Sequence, residues 1–360
     1  MGSTARTVLL TGGAGFAGGW TVGEIHRALH REYAAGGPAP VLRVLTHRRP
    51  VPTPSGPDAA PRLEPADGDL TDPASLRGLC EGVDTVVHLA ARVGEDEEQA
   101  RAVNVEGTRN LLAEARRAGV DRILQLGTAA VYRDGAHSGA AEGELVTGPV
   151  SVTSRSRLAG EELVLAAGGT VLRPHLVYGE GDLWFVPALA QLMRRLPHWV
   201  EGGRARISLV SVDDLARVVA ALAVRPGPDL RASVGRGRRP GAEAGRQAWP
   251  APPAGRVLHA SHPVPVTARD LVTRVAAALE LPLPEGDVDL AGAVALMGGP
   301  APVWERRISL LGVDHWYDSS RLWALAGCEP GPGFAARFAD HASWYRSALG
   351  GGPAPAGRPR

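Results

Sequence analysis

Two hydrophobic rhythms succeed one another along this chain from its N-terminus. Short β-branched or aliphatic runs at Val8–Thr11, Val41–Thr46, Thr85–Ala90, Ile123–Thr128 and Thr170–Arg173 predict buried strands. Trp20–Tyr33, Val105–Ala118 and Ser156–Ala167 instead repeat their apolar positions at helical spacing. Strands alternating with helices imply βαβ units and a doubly wound parallel sheet, whose ligand lies at the carboxyl ends of the strands. Ala34–Pro40 and Pro50–Pro65 are turn-rich or proline-rich and read as loops. After Asp182 the pattern becomes mixed through 184–206. A strand-to-helix step follows at Ile207–Ala223, and a further helix is predicted at Ala268–Leu279 with Thr267 as its N-cap. The α/β reading therefore assigns 1–182, completed by parts of 207–224, to the large sheet. It assigns 183–206 and 255–349 to a smaller C-terminal α/β substrate domain, 226–254 to a disordered insertion and 350–360 to a frayed tail.

Composition narrows the class. An apolar content of 44% supports a proper core, and a formal net charge of +1 gives no overall field to draw nucleic acid or an anionic membrane. The basic run Arg236–Arg239 reads as solvated loop in a chain that contains no lysine and uses arginine throughout. Two distant cysteines, Cys80 and Cys328, argue against a disulfide framework or a zinc site. No run is long enough for a signal sequence or a membrane span, so the expectation is a cytoplasmic, metal-free protein.

Chemistry concentrates where the first strand breaks into glycines. Gly12-x-x-Gly15-x-x-Gly18 follows an apolar run and opens a helical pattern, the arrangement a dinucleotide pyrophosphate needs. Gly12 permits a tight turn, Gly15 lets amides approach a phosphate, and Gly18 allows close packing of helix on strand. The end of the second strand reads Thr46-His47-Arg48-Arg49, with no carboxylate to accept a ribose hydroxyl. Arg48 can bind a 2′-phosphate, favouring NADP(H) over NAD(H).

Further motifs follow in order: Asp67-Gly-Asp69-Leu70, Val87-His-Leu-Ala90-Ala91, Asn104–Leu112, Leu126-Gly-Thr128-Ala-Ala-Val-Tyr132, Leu172-Arg-Pro174-His175-Leu-Val177-Tyr-Gly179 and Val212-Asp-Asp-Leu215. Together with the glycine turn they resemble the extended short-chain dehydrogenase/reductases, the NAD(P)-dependent epimerase/dehydratase family. Pro265–Leu271 and Val313–Arg321 are similar to its 3β-hydroxysteroid dehydrogenase and dihydroflavonol reductase-like branch. The resemblance implies a Rossmann domain with pyrophosphate at Gly12, Gly15, Phe16 and Ala17, and adenine at Asp69 and Leu70. It also implies Ala90 and Ala91 flanking the cofactor, and Pro174, His175 and Val177 beside the nicotinamide. The implied substrate is a small hydrophobic ketone or alcohol, in a pocket to which Trp184, Phe185, Trp199 and Trp304 could contribute. A homodimer through the helices after the third and fourth strands is the family analogy; oligomeric state, substrate and reaction direction stay open.

One motif departs. The resemblance places a Ser/Thr hydroxyl at Thr128 and a Tyr-x-x-x-Lys pair at Thr153 and Arg157. Arg157 keeps a positive charge that can hold the nicotinamide ribose, but an aliphatic hydroxyl at Thr153 is far too weak an acid to replace a phenol. Three readings follow. One is a reductase of atypical mechanism, in which Thr128 and Thr153 orient the oxygen and water, substrate or a residue such as His175 supplies the proton. The second is a non-catalytic cofactor- or ligand-binding protein, and the third a redox-neutral epimerase, dehydratase or cyclase.

Overall fold

The structure is a computed structural model that describes residues 5–51, 61–120, 122–225, 255–298 and 301–349. Seven strands form one parallel sheet: β1 (Thr7–Thr11), β2 (Val41–Thr46), β3 (Arg62–Asp67), β4 (Thr85–His88), β5 (Arg122–Leu126), β6 (Thr170–Arg173) and β7 (Arg256–His259). Their spatial order is β7-β6-β5-β4-β1-β2-β3, so the chain reverses direction across the sheet at β1 and β4. A parallel strand buried on both faces reads as an unbroken apolar run, and β1 shows why. Val8 and Leu10 face α1 (Phe16–Ala34), while Leu9 faces the opposite layer, all three fully buried.

Two helical layers cover the sheet. On one face, Val22, Ile25 and Leu29 of α1 share a core with residues from later in the chain. On the other, Leu111 and Ala115 of α2 (Thr108–Arg117) and Val164 of α3 (Val152–Ala166) pack over Leu9, Val86 and Val171. A second core gathers α4 (Phe185–Arg195), α6 (Ala268–Leu279) and α7 (Phe334–Leu349). Between α4 and α6, α5 (Val212–Val224) turns back onto α1 and contributes Leu215, Val218 and Leu222 to the first core. Thr267 caps α6 by accepting the Asp270 amide.

The segment 207–224 thus adds a helix to the sheet domain, and its short strand Leu209–Ser211 pairs outside the main sheet with Leu176–Tyr178. The seventh strand comes from Arg256–His259, in the segment that the sequence reading gave wholly to the substrate region. Both the expected insertion 226–254 and the tail 350–360 lie outside the described residues.

Candidate active site

At the end of β1 the backbone of Gly12 has φ +78°, and a Cβ there would stand 2.5 Å from the Ala90 amide nitrogen. At Gly18 a Cβ would lie 1.9 Å from the Gly12 carbonyl oxygen, so both positions require glycine. The Gly15 amide donates to that same carbonyl at 2.9 Å, closing the turn. α1 starts at Phe16 with no side-chain cap and no acidic residue in its first turn. Its positive end and the amides of Phe16 and Ala17 thus form a cradle suited to a pyrophosphate. Ala90 forms one wall beside Gly12, with its amide 3.4 Å from the Thr11 hydroxyl, and Ala91 is exposed beyond it.

A cavity of about 320 Å3 opens at the carboxyl end of β2, lined by Thr46, His47, Arg48, Arg49, Val51 and Asp67 among others. Asp69 accepts the Thr71 amide and hydroxyl at 2.9 and 2.8 Å and lies 3.3 Å from His47 Nε2. Burial pushes its carboxyl up, but the Thr71 hydrogen bonds and the His47 and Arg48 charges outweigh that and leave it below the ordinary value. Leu70 is buried beneath Gly107, and its carbonyl accepts from Asn110 at 2.9 Å. The sequence reading found no carboxylate at this end; the structure supplies one, Asp67, from the neighbouring strand.

Toward the other end of the cleft, α3 turns one face to the tips of β5 and β6. Ser151 and Ser154 form a reciprocal capping box that starts the helix. Thr153, Arg157 and Glu161 then follow at intervals of four residues on one face. The Thr153 hydroxyl donates to the Gly94 carbonyl and accepts from the Gly94 amide, both at 3.0 Å. Arg157 Nη2 donates to the Leu126 and Gly127 carbonyls at 2.6 and 2.8 Å. Glu161, fully buried, accepts the Thr128 amide at 3.0 Å and the Arg173 guanidinium at 2.8 Å. Burial pushes the Glu161 carboxyl up, opposed by Arg173, the Thr128 amide and Arg157. Arg157 itself is lowered by burial.

The ends of β5 and β6 bring Thr128 and Pro174 together through an Ala129 amide to Pro174 carbonyl bond of 2.8 Å. The Thr128 hydroxyl accepts the Ala130 amide at 3.2 Å, and among the described residues its own proton has no acceptor. Val177 sits half-buried in its two-stranded pairing with Val210. His175 stacks on His315 with ring centroids 5.6 Å apart, and its buried Nε2 has no partner among the described residues. Burial, reinforced by His315 and His137, pushes its pKa down to about 3, so near neutral pH it has no imidazolium proton to donate.

Thr128, Arg157 and Pro174 thus meet at the ends of β5 and β6, while the Thr153 hydroxyl bonds the loop after β4, and two Arg157 contacts serve the protein backbone. Among the described residues the phenols of Tyr132 and Tyr317 bond His259 and His137 rather than the strand ends, and that of Tyr345 bonds Asp182 in the second core. Of the aromatic residues expected to line a substrate pocket, Trp184 is exposed. Phe185, Trp199 and Trp304 pack on the second core, and the cavity beside Trp199 has room for only about 20 Å3. Sequence reasoning missed Glu161, Arg173, Asn104 and Asp67 as organising residues. For Glu161 the signal was its place one helical turn beyond Arg157. Asn104 pins the loop after β4 by donating to the Arg92 carbonyl and accepting its amide.

A doubly wound parallel sheet carrying this glycine turn at its first strand is a dinucleotide-binding fold. The chain belongs to the NAD dependent epimerase/dehydratase family, whose profile matches residues 8–231. It is 28% identical to a 2-alkyl-3-oxoalkanoate reductase of Stenotrophomonas maltophilia over 69% of this chain and 77% of that protein. It is 31% identical to a 3 beta-hydroxysteroid dehydrogenase/Delta 5-->4-isomerase of Mycobacterium tuberculosis, over 49% of this chain and about half (48%) of that protein. The fold matches the dTDP-glucose 4,6-dehydratase DesIV of Streptomyces venezuelae, solved with NAD, at a TM-score of 0.64 and 22% identity, covering 96% of this chain and 98% of that one. No helix among the described residues is long and apolar enough to cross a membrane, and no group of three or more potential ligands there could hold a metal ion.

Proposed function

We propose that the chain is an NADPH-dependent reductase acting on a hydrophobic ketone, or a dehydrogenase of the corresponding alcohol, with Thr128 as the residue that bonds the substrate oxygen. The observation that carries this reading is the hydroxyl of Thr128, whose proton has no acceptor among the described residues, at the strand ends that also present Pro174 and the glycine cradle. The nicotinamide cofactor would supply hydride; Gly12, Gly15, Phe16 and Ala17 would hold its pyrophosphate, Asp69 and Leu70 its adenosine end, and Arg48 a 2′-phosphate. Arg157 places a fixed positive charge under the same strand ends, which stabilises negative charge developing on an oxygen held by Thr128. Positioning and polarisation carry much of a hydride-transfer barrier, so loss of the phenolic acid slows the reaction without forbidding it. The proton then comes from water or the substrate. Relatives named as a 2-alkyl-3-oxoalkanoate reductase and a 3 beta-hydroxysteroid dehydrogenase/Delta 5-->4-isomerase support an apolar carbonyl or hydroxyl compound as substrate.

A second reading, a non-catalytic cofactor-binding protein, draws support from the Thr153 hydroxyl being bonded to both polar groups of Gly94. Titration with NADPH and NADH by calorimetry, followed by turnover of a panel of apolar ketones, separates the two. The reductase reading expects NADPH to bind more tightly and the Thr153→Tyr, Arg157→Lys double variant to turn over faster than the parent. Nucleotide binding with an inert double variant favours the binding protein.

A further inference from the structure

We propose that Asp67 is a specificity-determining residue that restrains the preference for a 2′-phosphorylated cofactor; this rests on the reading of the β2 end as the adenosine subsite. Thr46 and Asp67 are paired across the parallel strands β2 and β3, and the Thr46 hydroxyl donates to Asp67 Oδ1. That bond holds the carboxylate at the mouth of the cavity lined by His47, Arg48 and Arg49. Its other oxygen has no protein partner among the described residues, and neither the Arg48 nor the Arg49 guanidinium has a hydrogen bond or ion pair there. His47, by contrast, is paired with Asp69.

Among the described residues the cavity therefore offers a ligand two guanidiniums without a hydrogen bond or ion pair and one carboxylate oxygen without a partner. A ribose 2′-hydroxyl can donate to that oxygen, whereas a 2′-phosphate, an acceptor carrying up to two negative charges, is attracted by the arginines and repelled by Asp67. The same subsite consequently accepts both NADPH and NADH, and the charge at position 67 sets the ratio. β3 is the edge strand of the sheet, so this carboxylate is carried at the margin of the site, where a substitution leaves the strands β1, β4, β5 and β6 untouched.

Calorimetric titration of the full chain and its Asp67→Asn variant with NADPH and NADH tests the proposal, with adenosine 2′,5′-bisphosphate and AMP as probes of the subsite alone. Asparagine keeps an oxygen for Thr46 and removes the charge. The affinity ratio of the phosphorylated to the unphosphorylated ligand rises roughly fivefold to tenfold in the variant, the size expected of one fixed charge at a solvated surface. Raising the salt to about 1 M shrinks that gain, because the effect is electrostatic. If both nucleotides bind and the ratio stays within about twofold of the parent at low salt, Asp67 does not discriminate, while the cofactor reading stands. If neither nucleotide binds the parent chain, the cofactor reading falls, and this proposal falls with it.

Discussion

Glu161 sits at the junction of everything around Thr128. Its carboxylate accepts the Thr128 amide on one oxygen and the Arg173 guanidinium on the other, and both charged side chains are almost completely shielded from water. Arg173 in turn lies over the Tyr132 ring at 4.9 Å, and Tyr132 bonds His259, which reaches the Asp318 carbonyl. One carboxylate thus connects the candidate oxygen-binding hydroxyl to the start of the C-terminal segment. Removing it leaves a buried guanidinium without its counter-ion, so Glu161→Ala should cost about 3–5 kcal/mol of stability by urea denaturation. Glu161→Gln, which retains an acceptor for the Thr128 amide, should cost less. An Ala variant within about 1 kcal/mol of the parent would show that water or a neighbour replaces the carboxylate.

At the scale of elements, the contact between α3 and the π-helical turn 102–107 positions the loop after β4. Gly160 is the hinge of this contact: a Cβ there would stand 2.3 Å from the Asn104 carbonyl oxygen, which is backbone and cannot swing aside. Asn104 and Thr153 hold Arg92 and Gly94, so pushing α3 outward strains both anchors of that loop together. Gly160→Ala should lower stability by roughly 2 kcal/mol and speed amide exchange at Arg92 and Gly94; unchanged exchange at those two amides would break the proposed link. Much of this architecture could be read in advance. β2 and β6 match their apolar runs residue for residue, and α6 starts at its expected cap. β3 escaped because Pro65 made its segment read as loop, yet an edge strand tolerates a missing amide. With β3 unseen, Asp67 had no strand to place it opposite Thr46, which is why the carboxylate in the cavity escaped too. Thr128, Thr153 and Arg157 were legible as candidates only through the family resemblance. Their hydrogen-bond partners were not, because those depend on where the distant loop at Gly94 and the carbonyls closing β5 come to lie.

At the scale of the whole molecule, a cluster of histidines and tyrosines stands beside the aliphatic cores. His137, His175, His259 and His315 surround Tyr132 and Tyr317, joining β6, β7 and the small strands at 137–140 and 315–317. Burial lowers the pKa of all four histidines, and that of His175 falls to about 3. His88, held between the Thr11 and Thr108 hydroxyls, falls to about 4 through burial and the Arg157 charge. His88 and His175 are therefore neutral in the folded chain near neutral pH, whereas an unfolded histidine titrates near 6.5, so between these values the unfolded state binds more protons. Stability from these groups is complete above about pH 6.5 and declines as pH falls toward the folded values. At pH 5, His88 and His175 together should remove about 4 kcal/mol relative to pH 7.5, an upper figure if the unfolded chain retains structure. Urea midpoints recorded from pH 7.5 to 5 test this, with His175→Phe expected to flatten the slope by removing one of the two strongest contributors. A parent chain whose stability is flat over that range would mean that these imidazoles accept protons without unfolding, and that their surroundings are open to water.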